Sequence, residues 1–220
     1  MDPIQSRLSY YDKKWNYLKS ISLFGKYAIG VDDERNIYCM NLRGENIISV
    51  LDQNGKIIES YGGRLYPDKP ESALNTFITA VDRDGTVWVG YQATGNIFKY
   101  TKNGRLEYET NVMDYSSKFM KNALERNLEN EKKGIRRVAP IITGIVPTKG
   151  GVIVTGGGIV NLMFRLDSKC RYQKAYYVPP KYRFSKVCFY ATIDEKGEEI
   201  FYLKENTDGE YSIGIYGRGK

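Results

Sequence analysis

One short turn segment, repeated along the chain, constrains the fold more than any other feature. It runs from an aromatic residue or leucine through a polar pair into a tight turn. It stands at Tyr11-Asp12-Lys13-Lys14-Trp15-Asn16, Leu51-Asp52-Gln53-Asn54-Gly55-Lys56, Tyr100-Thr101-Lys102-Asn103-Gly104-Arg105 and Leu166-Asp167-Ser168-Lys169-Cys170-Arg171. A second segment alternates with it, at Val31-Asp32-Asp33-Glu34-Arg35-Asn36-Ile37-Tyr38, Val81-Asp82-Arg83-Asp84-Gly85-Thr86-Val87-Trp88, Val146-Pro147-Thr148-Lys149-Gly150-Gly151-Val152-Ile153 and Ile193-Asp194-Glu195-Lys196-Gly197. Such self-similarity settles the architecture first, because each repeat is one unit that buries its apolar face only against its neighbours.

The second residue of the first segment falls at Asp12, Asp52, Thr101 and Asp167, in steps of 40, 49 and 66. The other series steps by 50, 65 and 47. A propeller blade of four short strands takes roughly 40 to 50 residues, so the shorter steps fit. Both long steps span one stretch, about 112–138, which reads as an insertion between blades. Flanks such as Asn36-Ile37-Tyr38-Cys39-Met40 and Thr86-Val87-Trp88-Val89-Gly90-Tyr91 are β-branched and aromatic and end in polar turns, as strands do. Asn54-Gly55, Asn103-Gly104 and Asp84-Gly85 are hairpin signals, since these residues accept positive φ. Lys169-Cys170 breaks that rule, which predicts a turn of another type or a strained one.

Numbered outward from the axis, strands a to d of one blade are expected at 26–32, 36–42, 46–52 and 56–61. The next blade takes 76–82, 86–92, 96–101 and 105–110, and a third 141–146, 152–155, 160–166 and 172–178. The chain opens with a c–d hairpin (7–11, 17–23) and closes with a and b (187–193, 199–204) and a last strand, 211–216. The fold class is therefore all-β, a propeller of four-stranded antiparallel blades with about four blade-equivalents in one domain over 1–220. The last strand competes with 7–11 for a c position in a small ring. That favours an incomplete or open propeller, completed by another copy or by further residues, with edges able to self-associate.

The units Asn36-Ile37-Tyr38 … Ile48-Ser49-Val50-Leu51-Asp52-Gln53-Asn54-Gly55-Lys56 and Gly85-Thr86-Val87-Trp88-Val89 … Ile97-Phe98-Lys99-Tyr100-Thr101-Lys102-Asn103-Gly104-Arg105 resemble NHL-type and TolB-like six-bladed β-propeller repeats. The resemblance is at the level of fold and implies a broad range of functions: protein-binding and RNA-binding modules, sugar-lactone hydrolases and lyases. It also implies bacterial relatives in the cell envelope. The opening Met1-Asp2-Pro3-Ile4-Gln5-Ser6 carries neither a basic region nor an apolar core, so no signal peptide is expected here, which points instead to the cytoplasm.

Histidine is absent from all 220 residues. Ser-His-Asp and Cys-His catalysis and imidazole metal sites are thereby excluded within this sequence. The resemblance implies that lyases of this group use histidine, and that lactonase-like members hold a divalent cation with Glu, Asn and Asp near the axis. Glu45, Asn46, Asn75, Asn161 and Asp208 are the oxygen donors available, without a register that joins them. Gly156-Gly157-Gly158 lacks the Gly-Lys-Ser/Thr ending of a phosphate loop and reads as a tight b–c connection. Cys39, Cys170 and Cys188 form no C-x-x-C motif and read as packed or turn thiols. No catalytic residue, metal ligand or cofactor is expected.

Propellers of this kind bind at the face carrying the b–c and d–a connections. On that face the sequence places Arg43, Glu45, Arg64, Tyr66, Gln92, Thr94, Lys181, Tyr182 and Arg183, since Arg and Tyr recur at interface hot spots. The insertion adds a helix, capped by Ser116-Ser117, with Phe119, Met120, Ala123, Leu124 and Leu128 at helical spacing. Lys132, Lys133, Arg136 and Arg137 follow at its end. The leading expectation is a non-catalytic scaffold for a protein, peptide or glycan. The alternatives are an RNA-binding propeller, raised by the net charge of +7, and a metal-dependent sugar-lactone hydrolase. No run reaches the ~18 apolar residues of a membrane span.

Overall fold

The computed structural model describes residues 7–23, 25–42, 44–115, 118–156, 162–177, 188–193, 199–207 and 210–216. Its strands are β1 (Arg7–Tyr11), β2 (Tyr17–Ser22), β3 (Tyr27–Val31), β4 (Ile37–Met40), β5 (Ile48–Leu51), β6 (Ile57–Tyr61), β7 (Phe77–Val81), β8 (Val87–Tyr91), β9 (Asn96–Tyr100) and β10 (Leu106–Asn111). Helix α1 (Lys118–Lys132) follows, then β11 (Ile142–Thr148), β12 (Gly151–Gly156), β13 (Leu162–Asp167), β14 (Tyr172–Tyr177), β15 (Cys188–Ile193), β16 (Glu199–Thr207) and β17 (Glu210–Tyr216). Every strand expected from the repeat is present, with ends shifted by three residues at most where the end lies among the described residues; the expected ends at 160, 178 and 187 lie outside them.

The strands form meanders in chain order: β3-β4-β5-β6, β7-β8-β9-β10 and β11-β12-β13-β14 are complete four-stranded sheets. Among the described residues β15-β16-β17 has three strands and β1-β2 has two. The middle strands β4, β5, β8 and β12 are buried along nearly their whole length, while β6 and β10 are largely exposed. That gradient matches the sequence, in which the b strands β4, β8 and β12 are mostly apolar and the d strands β6 and β10 carry charged residues.

Contacts group the chain into two compact units. The first comprises Met1–Glu71, Thr79–Trp88 and Lys99–Glu107. It is dominated by the repeated turn, which takes one geometry wherever the polar pair occurs. At Asp52 the backbone N–H donates to Lys56 O at 2.9 Å, and Gly55 N–H returns to Asp52 O at 3.0 Å. The same two bonds recur from Asp12, Asp32, Asp82 and Thr101 in this unit and from Asp167 in the other. This is a three-residue loop whose last residue must be left-handed. Gly55, Gly85 and Gly104 take that position at φ 84, 85 and 69°, but so do Trp15 at 65°, Arg35 at 67° and Cys170 at 58°. The turn at Lys169-Cys170 is thus the common type in strained form; Asn54 and Asn103, expected to share the positive φ, do not.

An aspartate opens most of these turns for a physical reason. Asp52 Oδ1 accepts from Asn54 N–H at 2.8 Å and Lys56 N–H at 2.9 Å, satisfying donors that the loop would otherwise leave open. Asp12 and Asp167 make the matching pairs. The unit's core joins Ile21, Leu23, Ile37, Cys39 and Leu51, with Leu8, Tyr10 and Ala28 packed against it.

The second unit comprises Ser72–Ile78, Val89–Phe98 and Tyr108–Lys220. Its β11–β12 hairpin departs from the common turn. Gly151 sits at φ 147°, where an added Cβ would meet Leu166 O at 2.0 Å, so only glycine fits. Helix α1 realises the expected insertion and ends at Gly134, whose φ of 68° lets Ile135 N–H reach back to Asn130 O at 2.8 Å. The Ser116-Ser117 cap lies outside the described residues.

Candidate functional site

In each meander the a–b and c–d turns lie at one end of the sheet and the b–c and d–a connections at the other. The second set is where the sequence places recognition. In the first unit the β4–β5 connection is pinned by Asn41 N–H to Ile47 O, and by Ile47 N–H to Gly62 O, both 2.8 Å. The Asn41 amide donates to Asn46 O at 2.9 Å and Ser49 Oγ at 2.8 Å. Arg64, on the connection after β6, donates its guanidinium to Leu42 O and so ties the two connections together. Glu45 and Tyr66 are exposed beside them. Arg43 lies outside the described residues.

In the second unit Gln92 is a structural strut. Its N–H donates to Thr76 O at 2.9 Å, its carbonyl accepts from Ile141 N–H at 2.6 Å, and its amide reaches Ile142 O. Thr94 is buried next to it. Lys181, Tyr182 and Arg183 lie outside the described residues. Of the oxygen donors, Asn75 is buried and its N–H donates to Ser72 O, Glu45 and Asn46 are exposed in the first unit, and Asn161 and Asp208 lie outside the described residues. Among the described residues no three Cys, Asp or Glu side chains converge as metal ligands.

Helix α1 is held by a residue that sequence reasoning passed over. Asn127, only 2% exposed, donates to Ala93 O at 2.8 Å and to Ala139 O at 2.9 Å, and accepts from Ala139 N–H at 2.7 Å. One amide thereby clamps the helix to the β8–β9 connection and to the segment leading into β11. A signal existed: Asn127 falls seven residues after Met120, on the helix's apolar stripe, where a polar residue demands buried partners. Met120 is buried as expected, whereas Leu128 is exposed. Lys118, Lys121, Arg126, Lys132, Lys133, Arg136 and Arg137 all face solvent. Lys133 pairs with Glu129 one turn back at 2.6 Å, which holds the Glu129 carboxyl below its usual range. Tyr115 and Tyr172 stack at 4.5 Å with rings 19° apart, both partly exposed.

The most concentrated titratable cluster lies at the turn end of the first unit. Asp32 is nearly fully buried and accepts from Asn36 N–H at 2.8 Å, Asn36 Nδ2 at 2.9 Å and Tyr38 Oη at 3.2 Å, with Lys102 Nζ at 3.8 Å. Lys102 also pairs with Glu34. Burial pushes the Asp32 carboxyl upward, but the Asn36 and Tyr38 bonds and the Lys102 charge prevail and hold it below the ordinary value. The Tyr38 phenol moves up, through burial and the Asp32 charge. Every Asp32 oxygen is engaged inside the protein, so this is a strut between successive turns, as is Asp33 N–H to Arg83 O at 2.9 Å. Cys39 is a buried thiol, pushed up to about 11 by burial, which makes it a packing thiol of low reactivity. Cys170 is likewise buried.

No protein-family model matches the chain, and no curated protein sequence matches it. Solved structures do. A streptogramin B lyase superposes with a TM-score of 0.57 at 17% identity, covering 98% of this chain and 63% of the other. A Bacteroides caccae protein of unknown function gives 0.53 at 9% identity, with coverages of 96% and 69%. BBS1N in complex with ARL6DN gives 0.52 at 8% identity, with 96% and 62%. This chain therefore spans less than two thirds of the lyase's length. At such identities the likeness establishes the fold alone. Together with the serial four-stranded meanders it defines a β-propeller fold of antiparallel blades carrying one helical insertion.

Proposed function

We propose that this chain is a non-catalytic binding scaffold of the NHL-type and TolB-like six-bladed group, presenting its b–c and d–a connections to a protein, peptide or glycan. The observation that carries the reading is how those connections are held. The buried Asn127 amide fixes them in one unit, and the Asn41 amide and Arg64 guanidinium in the other, while Glu45, Tyr66 and the outer residues of α1 stay exposed. Preorganised loops bind with less ordering cost. The proposed contact residues are Glu45, Arg64 and Tyr66 on the first unit and Gln92 on the second, together with Arg43, Lys181, Tyr182 and Arg183, which lie outside the described residues.

Two comparisons support a scaffold. A virginiamycin B lyase from Staphylococcus aureus is described as catalytically inactive when one histidine becomes alanine, and this sequence holds no histidine. BBS1N, of like fold, holds a protein, ARL6DN. The test has two parts. Purified chain incubated with quinupristin is expected to leave the macrocycle intact by mass spectrometry; turnover overturns the reading. On peptide and glycan arrays the chain should bind discrete members, and Tyr66→Ala with Glu45→Ala should weaken that binding about tenfold or more. Unchanged binding by the double variant removes this site.

RNA is the second reading, favoured by Lys132, Lys133, Arg136 and Arg137 all being exposed around the end of α1. Affinity for single-stranded RNA should then fall steeply with salt and vanish when all four become Glu. Binding insensitive to both excludes it.

A further inference from the structure

Helix α1 is fully formed but lightly fastened. Of its described side chains only Met120 and Asn127 are buried, with Ala123, Leu124, Asn130 and Glu131 half-buried and the others exposed. A helix of 15 residues is marginal in water unless it buries an apolar face, and here one of the two buried side chains is polar. The strands do not need the helix. Gln92 O accepts from Ile141 N–H at 2.6 Å, which joins the β8–β9 connection directly to the entry of β11. Release of α1 therefore opens no strand ladder.

The three bonds that hold α1 have the form of a main-chain pairing. Asn127 Oδ1 accepts from Ala139 N–H at 2.7 Å, and Asn127 Nδ2 donates to Ala139 O at 2.9 Å. Exchange of both an N–H and a C=O bond with one residue is what a hydrogen-bonded pair in an antiparallel ladder does. The side-chain amide thus takes the place of a strand residue's backbone. Ala139 suits that pairing, because Pro140 after it keeps it extended. It lies in the stretch 135–140, which belongs to no described strand. The remaining Nδ2 hydrogen goes to Ala93 O at 2.8 Å, on a residue that is fully buried in the β8–β9 connection. The next residue, Thr94, is 4% exposed, and its Oγ1 has no hydrogen-bond partner among the described residues.

We infer that Asn127 stands in for a peptide amide: α1 is a lid, and an extended peptide displaces it by taking over the bonds to Ala93 O and to both backbone groups of Ala139. This rests on the scaffold reading and narrows its ligand to a peptide main chain. An N-acetyl sugar offers one amide, whereas an extended peptide pairs with Ala139 and continues along 135–140. The exchange is cheap, since one amide replaces another and the net worth of each bond is small. An apolar residue at 127 would instead weld the helix down. The C-terminal end of α1 stays tethered when Asn127 lets go. Ile135 N–H donates to Asn130 O at 2.8 Å and Asn130 Nδ2 to Arg137 O at 2.9 Å, across the left-handed Gly134. The helix pivots there.

Hydrogen exchange tests the lid by itself. In the wild-type chain the α1 amides should exchange about a hundredfold faster than those of β8 and β12, at rates that low denaturant leaves unchanged, as local opening does. Exchange of α1 only together with β8 and β12 overturns the inference and leaves the scaffold reading standing. Asn127→Asp keeps the side chain's shape but removes its N–H donors, so it should open the lid; Asn127→Ser repeats the test if the aspartate variant misfolds. On arrays of acetylated octapeptides the variant should bind the same members as the wild type about tenfold more tightly, because its open state is no longer rare. Copies of those octapeptides N-methylated at successive backbone positions should lose binding at one or more of them. Equal affinity of variant and wild type, or binding that survives methylation at every position, overturns the inference. So does a chain that binds no octapeptide in either form; the scaffold reading falls with it only if glycan arrays are blank as well.

Discussion

The hairpins β1–β2 and β5–β6 share a turn, a register slip just before it (Tyr10/Tyr11 and Val50/Leu51) and a cross-strand serine pair (Ser9 with Ser20, Ser49 with Ser60), yet one is exposed and the other is half core. Forty residues apart, Trp15 and Gly55 take the same left-handed position at φ 65 and 84°. Trp15 is 82% exposed, and an added Cβ at Gly55 would meet Ile21 at 3.3 Å. The turn is therefore a local object, made by two backbone–backbone bonds and, at Asp12, Asp52 and Asp167, by two further N–H bonds to the aspartate carboxylate. What it costs to change it is set by the neighbouring sheet.

The sharpest test of that difference is a glycine inside the packed array. At Gly104 a new Cβ would lie 2.5 Å from Tyr61 Cδ1, at φ 69°. Gly104→Ala should cost roughly 2–4 kcal/mol by combining backbone strain with overpacking, whereas Trp15→Ala should cost less than about 0.5 kcal/mol. Chemical denaturation of both reads the gap directly, and equal costs would break the comparison.

Asn127 extends it to the helix. Asn127→Ala leaves Ala93 O, Ala139 O and Ala139 N–H without their partner in a buried place, so a loss of about 2–3 kcal/mol is expected. Asn16→Ala, which removes an exposed bond to Asp12, should be nearly silent. Thermal melts of the two should separate by several degrees.

Acid should distinguish buried from exposed aspartates. Asp12 is held below the usual range by the Asn16 side chain and backbone; Asp32 is held down by bonds that outweigh its burial. A carboxyl depressed in the folded state contributes stability that is complete above its unfolded pKa and is lost as pH falls through the folded one. The native chain should therefore lose stability on the acid side. In Asp32→Asn that acid-side slope should flatten more than in Asp12→Asn, because the Asp32 bonds are shielded from water. Unfolding midpoints from pH 6 down to pH 2 show the order, and a reversed order breaks the comparison.

The smallest expected effect carries the opposite sign. Trp15→Gly should stabilise by about 0.5–1 kcal/mol through relief of left-handed strain. Cys170→Gly, at the same turn position but 2% exposed, should not, since it loses packed volume. If both stabilise, burial is not what separates the turns.

Much of the fold was legible because the turn is legible: Asp at the first position and a small or strained residue at the fourth can be read without any contact being known. Strand limits followed from Val, Ile and aromatic runs between turns. At Cys170 the sequence predicts another turn type or a strained one, and the structure has the strained one: the turn requires only a positive φ at that position, and Asp167 supports it through Lys169 and Arg171 N–H. The site was less legible. Arg64 bonds across to Leu42 O, Gln92 bonds Ile142 O with its side-chain amide, and Asn127 lies inside a helical stripe with buried partners. Side chains that bond across long sequence separations leave no local trace.

The sequence by itself determined the blade, its period, its turns and the place of the insertion, because hairpin geometry is fixed within about a dozen residues. Only the tertiary structure decided which equivalent positions are buried. Ser9 and Ser49 hold the same position in two like hairpins, and they differ in that β4 lies beside Ser49 while among the described strands only β2 pairs with the strand of Ser9. Burial belongs to neighbours brought from far along the chain, and local pattern does not record them.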